Sequence, residues 1–191
     1  MAIVRMTPGA RREQLLEIAA RQFATRPYHD VVMADVAEAA GVTRALVYRY
    51  YASKRELFAA VYQRAADQLV ETAAPSKPDD LVGQVLAGLE AHFDFFESNA
   101  RTVLVANRGE LAGDPVIEAI ITGELARLRA AMLDTMGLTG RDRYLASAAL
   151  LGWLAFVREV CVEWLAERQL SRDEVRDLCL RTLLAALTPG G

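Results

Sequence analysis

The chain has 191 residues, of which 53% are hydrophobic and 25% charged, and its formal net charge is −3. A chain of this length and apolar content can bury a full core in one or two small domains. Its 12 Gly and 6 Pro are few, which favours long helices over many turned strands. No long apolar run precedes the first arginines, so we expect a cytoplasmic protein without a secretory signal.

The charge of the chain is unevenly distributed. Residues 1–64 carry ten Lys/Arg and six Asp/Glu, a net charge of +4, whereas the remaining residues carry 12 basic and 19 acidic side chains, a net charge of −7. A basic N-terminal part attracts a polyanion such as nucleic acid, while an acidic remainder is repelled by it. The distribution predicts a nucleic-acid interface at the N-terminal end only.

The first predicted helix begins at Thr7-Pro8, because Thr is a common N-cap and Pro is common at the first helical position. It is expected to end at about Thr25. One face of this helix is apolar and should point inward: Leu15, Ile18, Ala19 and Phe23.

Residues 33–50 have the pattern of a helix-turn-helix. The first short helix has an apolar face at helical spacing, formed by Met33, Val36, Ala37 and Ala40. Gly41 then ends this helix, because glycine adopts the left-handed conformation at little cost. A second short helix is predicted from about Thr43 to Tyr50.

The second short helix lies in a segment without any acid. Residues 39–55 contain four basic side chains, three tyrosines and no carboxylate. Cations and hydroxyls without a carboxylate suit a phosphate-bearing surface. The pattern therefore predicts that this helix contacts DNA, although a solvated basic face has the same composition.

A capping box, Ser53 with Glu56 three residues later, opens a long helix to about Thr72. The composition then changes at residues 73–80, which contain two prolines and two aspartates and indicate a domain boundary. We assign a DNA-binding domain to residues 8–68 and a second domain, for ligand binding and dimerisation, to residues 69–191.

The second domain is predicted to be helical throughout. Helices are expected over residues 80–98, 101–107 and 115–136, the last opened by Asp114-Pro115, and Gly137 and Gly140 bracket a turn. A second capping box, Ser171 with Glu174, opens the last helix. That helix has two apolar faces: Val175, Leu178, Cys179, Leu183 and Ala186 on one, and Leu180, Leu184 and Leu187 on the other.

Residues 144–157 form a run of 14 without a charge. This run is shorter than the ~20 residues that span a bilayer, so we expect no membrane contact. A helix that is apolar all round must be enclosed on every side. Together with the two-faced last helix, this run predicts that a second copy of the chain covers part of the domain as a homodimer.

The segment from Arg11 to Leu57 resembles the N-terminal DNA-binding domain of TetR-type transcriptional regulators. The most specific part is AGVTRALVYRYYASKREL, residues 40–57. The resemblance implies an all-α protein whose N-terminal three-helix domain carries the helix-turn-helix. It also implies a homodimer that binds a palindromic double-stranded DNA operator and releases it when a small molecule enters the C-terminal domain.

The resemblance also implies roles for individual residues. Thr43 matches a helix N-cap that meets phosphate, Tyr48 and Tyr50 match an aromatic phosphate contact and its neighbour, and Lys54 matches a phosphate contact at the start of the fourth helix. Arg44 and Arg49 occupy variable positions, of which we assign base readout mainly to Arg44. Ala45 completes the expected DNA-binding set. The family's hydroxyl residues before the second helix are replaced here by Val31 and Val32.

Six residues of the second domain are candidates for effector binding: Phe93, Phe96, Asn107, Trp153, Phe156 and Arg158. For the four aromatic residues, plain core packing is the alternative to pocket lining, and it is the commoner role of such residues. Arg158 is either a buried polar contact for an effector or, more commonly, part of a surface ion pair. His92 is expected to be a boundary histidine rather than a ligand. The apolar and aromatic content favours a small lipophilic effector.

We expect no enzyme activity, cofactor or metal. The chain has two histidines and two cysteines, Cys161 and Cys179, and the cysteines do not form a CxxC motif. No nucleophile motif or glycine-rich phosphate loop is found. The sequence predicts a ligand-responsive DNA-binding repressor. The alternatives are a helical small-molecule-binding or protein-interaction module without DNA binding, and an enzyme with a site assembled from scattered residues.

Overall fold

The computed structural model describes residues 6–73 and 81–187, and within these ranges every regular element is helical. The α-helices are α1 (Pro8–Thr25), α2 (Met33–Ala39), α3 (Arg44–Tyr50), α4 (Lys54–Ala73), α5 (Leu81–Ser98), α6 (Ala100–Asn107), α7 (Pro115–Thr135), α8 (Gly140–Glu167) and α9 (Arg172–Leu187). A 3₁₀ turn, Tyr28–Asp30, connects α1 to α2. The predicted all-α class is confirmed.

Among the N-terminal helices, α2 packs against both α1 and α3, and α1 packs against α4. The predicted inward faces of α1 and α2 are buried, as is Val47 of α3. Tyr51, directly after α3, is fully buried, and its hydroxyl donates to the carbonyl of Arg12 on α1 (3.4 Å). This packing fixes the orientation of the short helix α3, because a seven-residue helix is not stable alone.

Local capping explains where these helices begin and end. The Thr7 hydroxyl accepts from the Ala10 amide at 3.2 Å, and the Thr43 hydroxyl accepts from the Leu46 amide at 3.3 Å. Gly41 has φ +63°, which confirms the predicted left-handed turn. Val32 is the N-cap of α2 and makes no side-chain capping bond in the described part of the chain, as its replacement of a hydroxyl residue implies.

Helix α4 joins the two halves of the molecule. Its capping box forms as predicted between Ser53 and Glu56, except that the carboxylate accepts from the amide of Ala52 rather than from that of Ser53. The helix packs against α1 on one side and against α5 and α7 on the other. The predicted division after residue 68 falls inside this helix and stays a prediction. Of the predicted break at 73–80, residues 74–80 lie outside the described residues.

The second half consists of α5 to α9. The starts of α7 and α9 follow the predicted caps: the Asp114 carboxylate accepts from the Val116 amide (2.9 Å), and Ser171 and Glu174 bond each other's amides (2.8 and 3.3 Å). Helix α8 packs against α7 and α9. Cys161 and Cys179 are buried as expected, and the Trp153 indole donates to the Cys179 carbonyl at 2.8 Å.

Within the single chain, the apolar run of α8 is enclosed only in part, and its cover by a second copy stays a prediction. Leu150 and Val157 are buried, but Tyr144, Leu145 and Leu151 are 80%, 59% and 54% exposed. The face is uncovered because α7 and α9 pack on the other sides of the helix. On α9, Leu183 is buried as predicted, whereas Ala186 is exposed.

The apolar run also understates the length of α8, which has 28 residues. By length and composition alone such a helix could cross a membrane, but core helices of soluble proteins meet the same criterion. The buried side of α8 contacts other helices of the chain and carries the charged residue Arg158. These contacts are those of a core helix.

Candidate functional site

Helix α3 presents most of its side chains to solvent. Val47 is its only buried residue in the described structure, and it fixes the helix against the core. The exposed residues are those of the expected DNA-binding set: Thr43, Arg44, Ala45, Tyr48 and Arg49, with Tyr50 half-buried. We call these six residues the recognition surface. Its first turn contains no acid.

Pairs of side chains organise this surface. The Arg44 guanidinium donates to the Tyr48 hydroxyl at 3.2 Å and lies 5.3 Å from the centre of its ring, one helical turn away. Arg49 lies 5.6 Å from the ring centre of Tyr50. Both contacts are on the exposed side of the helix, where the long arginine side chains can exchange them for phosphate or base contacts at little cost.

Lys54, expected to contact phosphate, also forms hydrogen bonds within the protein. Its ammonium group donates to the carbonyl oxygens of Tyr28 (2.8 Å) and His29 (3.3 Å) and lies 4.4 Å from the ring centre of Tyr28. It therefore ties the start of α4 to the 3₁₀ turn. An ammonium group has three N–H donors, so one is left for a phosphate beside the N-terminus of α4. The sequence alone did not indicate the two carbonyl contacts.

Charge pairs join the N-terminal helices to the second half of the chain. Arg55 at the start of α4 forms a bidentate pair with Asp114 at the start of α7. This contact lowers the pKa of the Asp114 carboxyl to about 2. Arg127 of α7 pairs with Asp67 of α4 at 2.7 Å. These two ion pairs connect α7 to α4.

A cavity of about 60 Å³ lies between α4, α5, α7 and α8. Of its 13 lining residues, ten are apolar, and the other three are Gln84, His92 and Thr135. Trp153, one of the six candidate effector residues, lines this cavity.

The other five candidate effector residues do not line this cavity. Phe93 packs edge-to-face against Trp164 at 5.4 Å between ring centres, and Phe156 is half-buried against the core. Phe96 stacks on His92 at 4.4 Å. These three aromatic side chains are part of the core, which is the alternative that the sequence left open for them.

Asn107 and Arg158 belong to a buried polar cluster next to the cavity. The Arg158 Nη2 donates to the Tyr62 hydroxyl (2.5 Å) and to Asn107 Oδ1 (3.1 Å), and Nη1 lies 3.4 Å from Glu124 Oε1. We call these four residues the Arg158 cluster. Arg158 is only 3% exposed, so the expected surface ion pair is wrong. The charge is tolerated inside because three partners from α4, α6 and α7 surround it.

Two groups of this region were missed in the sequence. Burial raises the pKa of the Glu124 carboxyl to about 6, although the Arg158 charge opposes the shift. His92 is 6% exposed rather than at a boundary, and burial together with the Arg158 charge lowers its pKa to about 3. The sequence did not indicate that either residue is buried, because the side chains around each of them come from helices that are distant in the chain.

In residues 6–73 and 81–187, no group of three or more His, Cys, Asp or Glu side chains is placed to hold a metal ion.

The fold and the recognition surface define the protein as a helical DNA-binding protein of the helix-turn-helix class. A family model described as bacterial regulatory proteins, tetR family, matches residues 15–61. The match covers the helix-turn-helix region, and the chain is similar there to this family of transcriptional regulators. Its relatives and fold are those of regulators and not of enzymes.

Three similar proteins illustrate the relationship. The transcriptional activator FasR of Mycolicibacterium smegmatis is 28% identical over 173 residues, which cover 88% of this chain and 79% of FasR. The transcriptional repressor KstR2 of the same organism is 31% identical over 91 residues, 44% of each chain. A tetR-family regulator from Streptomyces coelicolor has the same fold with a TM-score of 0.84 at 25% identity, covering 95% of this chain and 82% of that one.

Proposed function

We propose that this transcriptional regulator is a cytoplasmic repressor that binds a palindromic operator as a homodimer and releases it when a small lipophilic effector binds. The observation that carries the proposal is the recognition surface. It is exposed, without acid in its first turn, and held by Val47 and Tyr51 in the core. Such a helix fits the major groove of DNA.

Individual contacts follow from the geometry of the surface. Arg44 lies in the first turn of α3, the part of a recognition helix that meets base edges. We assign it base readout, because a bidentate Arg–guanine contact contributes about 1–3 kcal/mol of discrimination. Thr43, Tyr48, Arg49 and Lys54 are assigned to phosphates, with Ala45 and Tyr50 beside them.

A second copy of the chain is proposed to cover the exposed face of α8. Tyr144 and Leu151 are large apolar side chains seven residues apart, so they lie on one face of the helix. Leu145 lies at the flank of that face, and all three are more than half exposed. In a dimer joined through this face and α9, two recognition helices are held at a fixed distance. Two half-sites must then be met together, which is why the operator is proposed to be a palindrome.

The proposed release acts through α4. The Arg158 cluster joins α8 to Tyr62 of α4, and α4 also carries Lys54 and Arg55 at its N-terminal end. An effector that enlarges the neighbouring cavity displaces α4 and so changes the distance between the two recognition helices. Coupling of about 1–3 kcal/mol per effector weakens binding several-fold to about a hundredfold.

Of the two similar regulators, one is named an activator and the other a repressor. We propose repression because a dimer on its operator excludes other proteins from that DNA and needs no further contact surface to do so.

Selection of bound sequences from random duplex DNA tests this function. The proposal predicts a palindrome whose half-sites are about one helical turn apart, or a multiple of it. A single unrepeated site, or no enrichment at any salt concentration, would contradict it. A reporter gene placed behind the selected operator then shows whether the regulator represses or activates transcription. Repression predicts higher expression when the regulator is deleted.

A further inference from the structure

The cavity between α4, α5, α7 and α8 has one polar atom that no part of the described structure satisfies. His92 lines the cavity, is 94% buried, and its Nε2 has no hydrogen-bond partner in the described structure. A buried polar atom without a partner is rare and destabilising. The imidazole is therefore a candidate contact for a molecule that enters the cavity.

The lining divides the cavity into a mouth and a closed end. Gln84 and Thr135 are half-buried, whereas His92, two helical turns beyond Gln84 on α5, is buried. The hydroxyl of Thr135 already donates to the carbonyl of Met132 at 2.8 Å. The wall between the two ends is apolar. A ligand that fits has an apolar shaft and one polar group at its buried end.

The charges around the closed end select the kind of polar group. Arg158 is paired with Glu124, so these two charges compensate each other. A further cation or anion buried beside the imidazole would have no partner charge. A neutral oxygen is left, and a hydroxyl suits either tautomer of the imidazole, because it both donates and accepts.

We propose that this cavity is the effector site and that it takes an uncharged, slender lipophilic molecule whose buried end carries a hydroxyl group bonded to His92 Nε2. The inference rests on the proposed ligand-responsive function and names the class of effector. The cavity of about 60 Å³ corresponds to about four to six water-sized volumes. A longer molecule must extend through the mouth or push the helices apart, which supplies the force on α4.

Binding of 1-hexanol, compared with hexanoate at pH 7.5, tests the site. The protein has two histidines, so ¹⁵N-imidazole NMR gives four side-chain signals, two from each ring. Hexanol should shift the His92 Nε2 signal and leave that of the exposed His29 in place. Calorimetry should show hexanoate binding at least tenfold more weakly. Equal or tighter binding of hexanoate, or hexanol binding without a His92 shift, would overturn the proposal.

Two variants separate this contact from nonspecific apolar binding. His92→Leu keeps a similar volume without the polar nitrogens and should weaken hexanol binding roughly three- to tenfold, the usual effect of losing one hydrogen bond. His29→Leu is the matched control and should leave hexanol affinity unchanged. Unchanged affinity in His92→Leu would refute the contact. If that variant does not fold, the NMR shift in the wild-type protein still decides.

Operator binding in the same samples keeps the two proposals apart. Hexanol bound at His92 without any change in operator affinity would leave the site in place but refute ligand-responsive release. Operator binding that persists while hexanol fails to bind would leave DNA recognition in place and refute the site.

Discussion

The hydrogen bond between Tyr62 and Arg158 can be removed with little other change by the substitution Tyr62→Phe. Tyr62 is fully buried, and its hydroxyl lies 2.5 Å from Arg158 Nη2. The ring is retained, so its packing on Phe58, 6.3 Å between centres, is preserved. The substitution removes the hydroxyl's hydrogen bonds to Arg158 and Asn107. The bond from the charged donor alone contributes about 1.5–3 kcal/mol to the free energy of unfolding.

Urea denaturation at pH 7.5 measures this loss, and a melting curve gives a second reading. For a chain of this size about 1 kcal/mol lowers the melting temperature by about 2–4 °C, so the expected decrease is about 3–12 °C. Tyr48→Phe is the control in the absence of DNA, since the Tyr48 hydroxyl bonds Arg44 on the exposed side of α3 and its change should stay below about 0.5 kcal/mol. If both variants were equally stable, the Arg158 cluster would not bind α4 as described.

Four other substitutions test three separate parts of the molecule. Lys54→Ala should weaken binding to operator and random DNA alike, and it should reduce the slope of log affinity against log salt concentration by about one unit. Gel shifts at several salt concentrations measure this slope, and an unchanged slope would refute the phosphate contact. Leu151→Glu should give folded monomers in sedimentation, whereas Leu183→Glu should unfold the chain, because Leu183 is 1% exposed; a Leu151→Glu dimer would place the interface elsewhere. Burial raises the pKa of Glu124 from 4.5 to about 6, so the folded state holds this proton more tightly, and about 2 kcal/mol of stability present at low pH is lost as pH rises from about 4.5 through 6. Glu124→Gln should remove that part of the pH dependence in denaturation curves, and identical profiles would refute the assignment.

The sequence predicted the helix ends well because they depend on neighbouring residues. Thr7, Asp114 and the two Ser–Glu boxes act within a few residues of themselves, and Gly41 needs only its own conformational freedom. The exposure of the α3 side chains could also be predicted from the local pattern, because Val47 is the residue of this short helix that points into the core. These features require no knowledge of the other helices.

The contacts between buried side chains in the second half could not be predicted, because the residues that meet there are distant from each other in the chain. Arg158 meets residues 96, 51 and 34 positions away, and none of these separations leaves a pattern in the sequence. The same holds for His92, whose apolar surroundings come from several helices. The apolar run of α8 indicated that its surface needs cover, but it did not show which side of the helix the same chain leaves exposed.

The most direct test of DNA reading by α3 is the affinity of Arg44→Ala for the selected operator, for its single-base-pair variants and for random DNA. Base readout by Arg44 predicts that discrimination falls by about 1–3 kcal/mol at one or two base pairs in each half-site, while affinity for random DNA changes little. An equal loss of affinity for every duplex would contradict the account, because Arg44 would then contact only the phosphate backbone.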